Sequence, residues 1–199
     1  MFNTAKTSVV LMFAIAGLGA IQSGCATSAH SAHRYNSDYS GENLNRVAFP
    51  IGGMGAGMIC LEGTGAISHV SVRNRMQFFN EPCAFAAICI RKPDGNVAKL
   101  LEGPVPTWKI FGDNGRGNGA GGTTYGLPRF DYAAFRPRFP FGTVILHDTE
   151  IPLEVELTGW SPFVPGHADE ASLPVGVLEY RFRNTGRTPV DAVVSYNTK

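Results

Sequence analysis

Hydrophobic and polar residues alternate with a period of two in two stretches of the C-terminal half of the chain. Between Ile151 and Trp160, Leu153, Val155 and Leu157 alternate with Glu154 and Glu156. Between Val177 and Arg183, Leu178, Tyr180 and Phe182 alternate with Glu179, Arg181 and Arg183. Successive side chains on a strand point to opposite faces, so each stretch predicts a half-buried strand. Asn184-Thr185-Gly186 predicts a turn, and Val190–Tyr196 is expected to return as the partner of Val177–Arg183. Upstream, Met58–Leu61 and Ala66–Arg73 flank Gly63 and Gly65 and read as strands. Ala84–Arg91 is apolar up to its final arginine, which predicts a strand buried on both faces. Pro93-Asp94-Gly95-Asn96 followed by Val97–Leu101 completes a hairpin. No long amphipathic helix and no internal repeat interrupts this pattern. The expectation is an all-β chain folded as an antiparallel β-sandwich.

The N-terminus follows a different pattern. Lys6 precedes an uncharged apolar run of 13 residues, Val9 to Ile21, the length of a signal-peptide core. A membrane-crossing helix needs about 20 apolar residues. The run ends in Gln22-Ser23-Gly24-Cys25, similar to a lipobox in which Cys25 takes a lipid. Ser23 and Gly24 fit that pattern, and Gln22 stands where an aliphatic residue is expected. Cleavage nearby without lipidation and an uncleaved anchor are the alternatives. Residues 1–25 are thus read as a lipoprotein-type signal and 26–45 as a flexible tether. Residues 46–199 are read as the folded domain, exported and held at the membrane through a lipid anchor only, facing the periplasm or the cell surface.

Composition narrows the function. Without Lys6 the basic and acidic residues balance, which offers no attraction for nucleic acid or an anionic surface. Cys60, Cys83 and Cys89 remain after Cys25, too few for a disulfide framework and consistent with buried free thiols. No cofactor is expected. His30 and His33 lie three apart in the tether, where the further ligands and ordered frame of a metal site are missing.

Several constellations invite chemistry and fail on context. Gly117-x-Gly119-x-x-Gly122 has dinucleotide-binding spacing but lacks the strand and helix that make the motif work. The glycines of Ile51–Gly57 lack the Lys-Ser/Thr of a phosphate loop and predict tight backbone packing. Glu154 and Glu156 share a strand face about 6.5–7 Å apart, yet glycoside hydrolysis needs carboxyls that flank a sugar in unlike environments. A solvent-facing pair is the expectation. Asp169 and Glu170 beside His167 read as a polar loop. Residues 112–126 hold seven glycines in fifteen positions and predict a long surface loop. The arginine- and aromatic-rich stretch from Phe130 to Phe141 follows as a candidate contact surface. Tyr125, Arg129, Tyr132 and Trp160 are the candidate glycan or domain contacts, with Trp108 also available for stacking.

Phe49-Pro50-Ile51-Gly52-Gly53-Met54-Gly55-Ala56-Gly57-Met58-Ile59, followed by Gly65, resembles the opening of the N-terminal domain of glycoside hydrolase family 116. That family includes the non-lysosomal glucosylceramidases, or bile-acid β-glucosidases. Leu157-Thr158-Gly159-Trp160-Ser161-Pro162-Phe163 and Ser172-Leu173-Pro174-Val175 continue the likeness, as do Asn184 and Val190 to Ser195, in order over about residues 47–197. The resemblance implies a β-sandwich that packs against a C-terminal (α/α) toroid holding the catalytic carboxylates. No catalytic residue carries over to this chain, which is expected to be a truncated, non-catalytic portion of such an enzyme. The alternative is a cell-surface module that binds a carbohydrate or a partner without catalysis. Mass spectrometry of membrane-extracted protein is expected to find a mature N-terminus at lipidated Cys25; an unmodified terminus beyond Cys25 would exclude the anchor.

Overall fold

A computed structural model describes residues 33–72, 75, 81–111 and 124–198. Within them lie eleven strands: β1 (Tyr39–Ser40), β2 (Ala48–Ile51), β3 (Gly57–Glu62), β4 (Ile67–Val72), β5 (Ala84–Arg91), β6 (Val97–Leu100), β7 (Tyr132–Arg138), β8 (Phe141–His147), β9 (Leu153–Trp160), β10 (Val177–Asn184) and β11 (Asp191–Thr198). Two short helices, α1 (Thr107–Phe111) and α2 (Ala168–Ala171), and one 3-10 turn complete the elements. The strands form a five-stranded sheet, β1-β7-β8-β9-β10, and two three-stranded sheets, β11-β5-β6 and β2-β3-β4, with antiparallel neighbours throughout. The fold is the expected antiparallel β architecture, without a closed barrel.

Alternation explains how the layers meet. In β8 and β9, Val144, Leu146, Val155 and Leu157 point inward and are wholly buried. Register extends this face across the large sheet. Phe135 lies beside Val144, which lies beside Leu157, which lies beside Tyr180. Opposite this face, Ala86, Ile88 and Ile90 of β5 complete the core with Leu61 of β3 and Phe130. Each large apolar side chain so buried contributes about 1.5–3 kcal/mol. The outward residues are polar: Glu154 binds Arg183 at 2.6 Å and Glu156 lies 3.7 Å from Arg181, as a solvent face requires.

Four expectations need correction. The partner of β11 is β5, with Asp191 opposite Arg91 and Thr198 opposite Ala84, and not β10. The six-residue connection is turned out of the β10 plane. Thr185 N–H and Oγ1 both donate to the Pro152 carbonyl at 3.1 Å, and Asn184 Oδ1 accepts from Gly186 N–H at 2.8 Å. The stretch from Phe130 to Phe141 is not a loop surface. Phe130 is a core residue and β7–β8 is a hairpin, whose alternation is obscured in sequence by Arg136 and Arg138 on outward positions and by Pro137 between them. β5 is buried on one face only; Phe85, Ala87 and Cys89 on its other face are partly exposed, and among the described residues no layer covers that side.

The fourth correction concerns the tether. Residues 33–45 belong to the fold: Tyr39 and Ser40 pair with β7, Leu44 is buried, and the His33 and Tyr39 rings stack at 4.0 Å. The Arg136 guanidinium grips Asp38 at 2.7 and 3.0 Å and holds its carboxyl below the usual range. Residues 26–32, Cys25 and the signal segment lie outside the described residues. Cys60, Cys83 and Cys89 are free thiols, the first buried.

A second ionic pin fixes the β8–β9 corner. Asp148, its side chain fully buried, accepts Lys99 Nζ at 2.7 Å, Glu150 N–H at 2.8 Å and Asp131 N–H at 3.1 Å. Burial pushes the Asp148 carboxyl up, but the lysine and the backbone donors outweigh it and hold the group below its ordinary 3.8. A depressed carboxyl stabilises the fold above its unfolded value, and this contribution is lost as pH falls through the lower folded value. Acid titration followed by circular dichroism is therefore expected to show a shallower loss of stability below about pH 4 in Asp148→Asn than in the parent; parallel acid limbs would show that Asp148 carries none of it.

Candidate functional site

The glycine-rich β2–β3 connection packs against two segments more than a hundred residues away. Gly52 N–H donates to Ser161 Oγ at 2.5 Å, and Met54 N–H donates to the Ala171 carbonyl at 2.9 Å. The approach at Gly53 tolerates no side chain. A Cβ there would lie 2.2 Å from the Leu173 carbonyl oxygen and 2.5 Å from that of Ser172. Gly52 adopts φ +136°, a conformation open to glycine and strained for other residues. The expectation of tight backbone packing at these glycines describes what the structure contains.

This packing leaves an open groove of about 560 Å³ at one end of the fold. Its walls include Pro50, Met54, Met58, Phe139, Pro162 and Phe163. Met54 is 58% exposed and Phe139 69%. The Phe139 ring meets Phe163 edge-on at 4.8 Å. Val164, Leu173 and Val175 extend the exposed apolar surface. Among the described residues, no Asp, Glu, His, Lys or Arg lines the groove. Its two hydroxyls are engaged: Ser161 accepts from Gly52, and Ser71 donates to the Arg75 carbonyl at 2.8 Å. Such a surface can dock apolar side chains; its described lining has no group for acid–base chemistry.

A second constellation is ionic and interior. Lys109 Nζ donates to both Glu62 carboxylate oxygens at 2.6 and 2.7 Å and also to Glu81. The Tyr125 hydroxyl donates to the other Glu81 oxygen. Arg129 binds Glu102 through Nε and Nη2 at 3.0 Å and the Thr124 carbonyl through Nη1 at 2.7 Å. Burial raises the Glu102 carboxyl against the lowering effect of Arg129, and burial followed by the Glu81 bond raises the Tyr125 phenol. These three neighbouring carboxylates do not make a glycosidase pair, because each is engaged and the cavity between them holds about 40 Å³. That admits water and falls far below the roughly 300–1,000 Å³ of small-molecule sites. Among the described residues, no cluster of three or more His, Cys, Asp or Glu is arranged to hold a metal ion.

The candidate contacts therefore do not form one site. Tyr125 and Arg129 belong to the interior network. Tyr132 stands on the outward face of β7 with its ring 5.9 Å from that of His147. Trp160 ends β9 beside Phe141, at 6.1 Å. Strand register separates Tyr132 from the Phe141–Trp160 row by six residues, roughly 20 Å, too far for one sugar ring. Trp108 is structural: its indole N–H donates to the Asn45 carbonyl at 3.0 Å. His167 and Glu170 are an exposed pair at 3.6 Å. Residues 112–123, including the Gly117-Gly119-Gly122 spacing, lie outside the described residues. Sequence reasoning missed the groove; the signal available was Met and Phe placed directly beside the Gly and Pro of separate turns.

Two of the stretches that carry the family likeness, Pro50–Met58 and Ser161–Phe163, form much of the groove, with Phe139, Pro140 and Ala171 completing it. A family model described as beta-glucosidase 2, glycosyl-hydrolase family 116 N-term, matches residues 48–198. The chain belongs to the glycosyl-hydrolase family 116 N-terminal domain family. No curated protein matches the chain. In this family 116 N-terminal domain the matched region spans β2 to β11, so it takes in all three sheets.

The ionic network makes a stability prediction for the domain. Lys109 is 4% exposed, and removing it leaves Glu62 buried beside Glu81 without a cation. Lys109→Met is expected to cost about 3–5 kcal/mol in urea denaturation. Adding Glu62→Leu should recover part of that loss; a single variant within 1 kcal/mol of the parent would contradict this account.

Proposed function

We propose that this chain is the non-catalytic N-terminal β-sandwich portion of an exported glycoside hydrolase of β-glucosidase or glucosylceramidase type. In this reading it supports a catalytic (α/α) domain, outside this chain, by docking it in the apolar groove, and a lipid on Cys25 holds the enzyme at the membrane. The observation that carries the reading is the groove itself. Main-chain N–H groups of the Pro50–Met58 segment hold it to the Ser161 hydroxyl and the Ala171 carbonyl, and what the groove presents to solvent is methionine, phenylalanine and proline. Sugars are held by many hydrogen bonds to their hydroxyls, and the described groove lining offers only two side-chain hydroxyls, each already in one hydrogen bond. A helix face bearing apolar side chains needs no such groups. The buried carboxylates support the same reading, since Glu62, Glu102 and Asp148 are each held by a lysine or an arginine.

Two measurements test it. The purified chain is expected to release no product from an aryl β-glucoside; turnover would overturn the non-catalytic assignment. A Met54→Asp/Phe163→Asp variant is expected to bind the (α/α) domain of a family 116 enzyme, supplied in trans, at least roughly tenfold more weakly than the parent. Equal binding would remove the groove as the docking surface.

A further inference from the structure

A second hollow lies between the 3-10 turn that follows β1 and the start of β7. Its volume is about 330 Å³, within the range of small-molecule sites. Leu44, Pro106 and Ala133 are buried beneath it and make an apolar floor. The rim carries Glu42, Asn45, Pro104, Thr107, Asp131 and Tyr132. None of these lines the groove, and none belongs to the interior ionic network.

The walls are fixed by bonds that need no ligand. The Trp108 indole holds the Asn45 carbonyl, and Gly103 N–H donates to the Thr64 carbonyl at 2.7 Å. Asp131 N–H donates to the buried Asp148, and Asp131 Oδ2 accepts from the Thr149 hydroxyl at 3.1 Å. Tyr132 is 46% exposed, and its ring is braced by that of His147. Little ordering is left for a ligand to impose, which is what favours binding at a pre-formed site.

The chemistry of the rim selects the ligand class. The Asp131 carboxylate accepts hydrogen bonds, the Asn45 amide donates and accepts, and the Thr107 hydroxyl does both. The Tyr132 ring adds an apolar face beside them. A sugar residue answers all of these groups at once. Its hydroxyls donate and accept around the edge, and its C–H face lies on an aromatic ring. An anion does not fit, because among the described residues no Lys or Arg lines the hollow. A cation would leave the amide and hydroxyl donors unused. It would also compete with Lys99, whose Nζ stands 4.0 Å from Asp131 Oδ1.

We infer that this hollow is a binding subsite for one neutral sugar residue of a glycan. Tyr132 supplies the stacking face, and Asp131, Asn45 and Thr107 supply the hydrogen bonds. The subsite shares no lining residue with the groove, so it stands or falls apart from the proposed function.

Saturation-transfer NMR of the full chain, in a sugar-free detergent where one is needed, tests it with cellotetraose and maltotetraose as probes. At least one probe is expected to bind, and a chemical-shift titration then gives its Kd. Tyr132→Ala and Asn45→Ala are each expected to raise that Kd roughly tenfold or more. Tyr132→Phe keeps the ring and is expected to stay within about threefold of the parent, which separates loss of the stacking face from misfolding. The groove variant Met54→Asp/Phe163→Asp is expected to bind the sugar like the parent. Silence from both probes, or an unchanged Kd in Tyr132→Ala and Asn45→Ala, would overturn the inference. So would loss of sugar binding in the groove variant. Displacement of the sugar by tetramethylammonium at matched ionic strength would assign the hollow to a cation and overturn it as well.

Discussion

Val144, Leu146, Val155 and Leu157 form the central patch of the inward face of the large sheet, and all four are wholly buried. Two separate layers must be seated on this patch to keep it dry. β5 supplies Ala86, Ile88 and Ile90 over one part, and β3 supplies Leu61. The β2–β3 layer can approach because Gly142 and Gly159 stand on β8 and β9 where it crosses. A Cβ at Gly142 would lie 2.8 Å from the Phe49 ring, and one at Gly159 would lie 2.8 Å from Leu61. Seating β2 and β3 there places their connecting glycines against Ser161, Ala171 and Ser172, and the groove follows as a consequence. Burial of one apolar face thus determines where the family segments meet.

Polar groups are then divided by environment. On the outward face of the large sheet, glutamates and arginines alternate and pair in solvent, where such pairs add little stability. Inside, Lys109 meets Glu62 and Glu81, and Arg129 meets Glu102 and turns its remaining donors to backbone carbonyls and the Thr124 hydroxyl. No buried polar side-chain atom among the described residues lacks a hydrogen bond. This complete pairing explains why the interior carboxylates serve structure: a general acid or a nucleophile must keep a face free for substrate. The groove is the complementary case, apolar and uncharged, and suited to contact rather than to chemistry.

Much of the fold was legible in the residues. β9 and β10 were readable because alternation assigns every side chain to a face without reference to anything distant. β3, β4, β5 and β6 were bounded by glycine, proline and Asp-Gly turns. β7 was missed because Arg136, Pro137 and Arg138 imitate a loop, although Ala133 and Phe135 keep the period. The start of the fold at His33 was missed because two-residue β1 has no periodicity of its own and owes its place to Arg136 holding Asp38. Of the candidate contacts, Trp160 does stand near the groove, whereas Arg129 is drawn inside by Glu102, a partner 27 residues away whose identity no local pattern discloses.

By itself the sequence determined which residues of β9 and β10 face inward, where most of the turns fall, and which family its ordered segments resemble, since all three are properties of neighbours along the chain. Tertiary structure alone decided that β11 crosses to β5, that three distant turns converge on one groove, and that Tyr125 and Arg129 serve an interior network. Those outcomes depend on which of several apolar faces and opposite charges meet most closely. That choice is a comparison among distant partners, and it is settled only when the whole core closes.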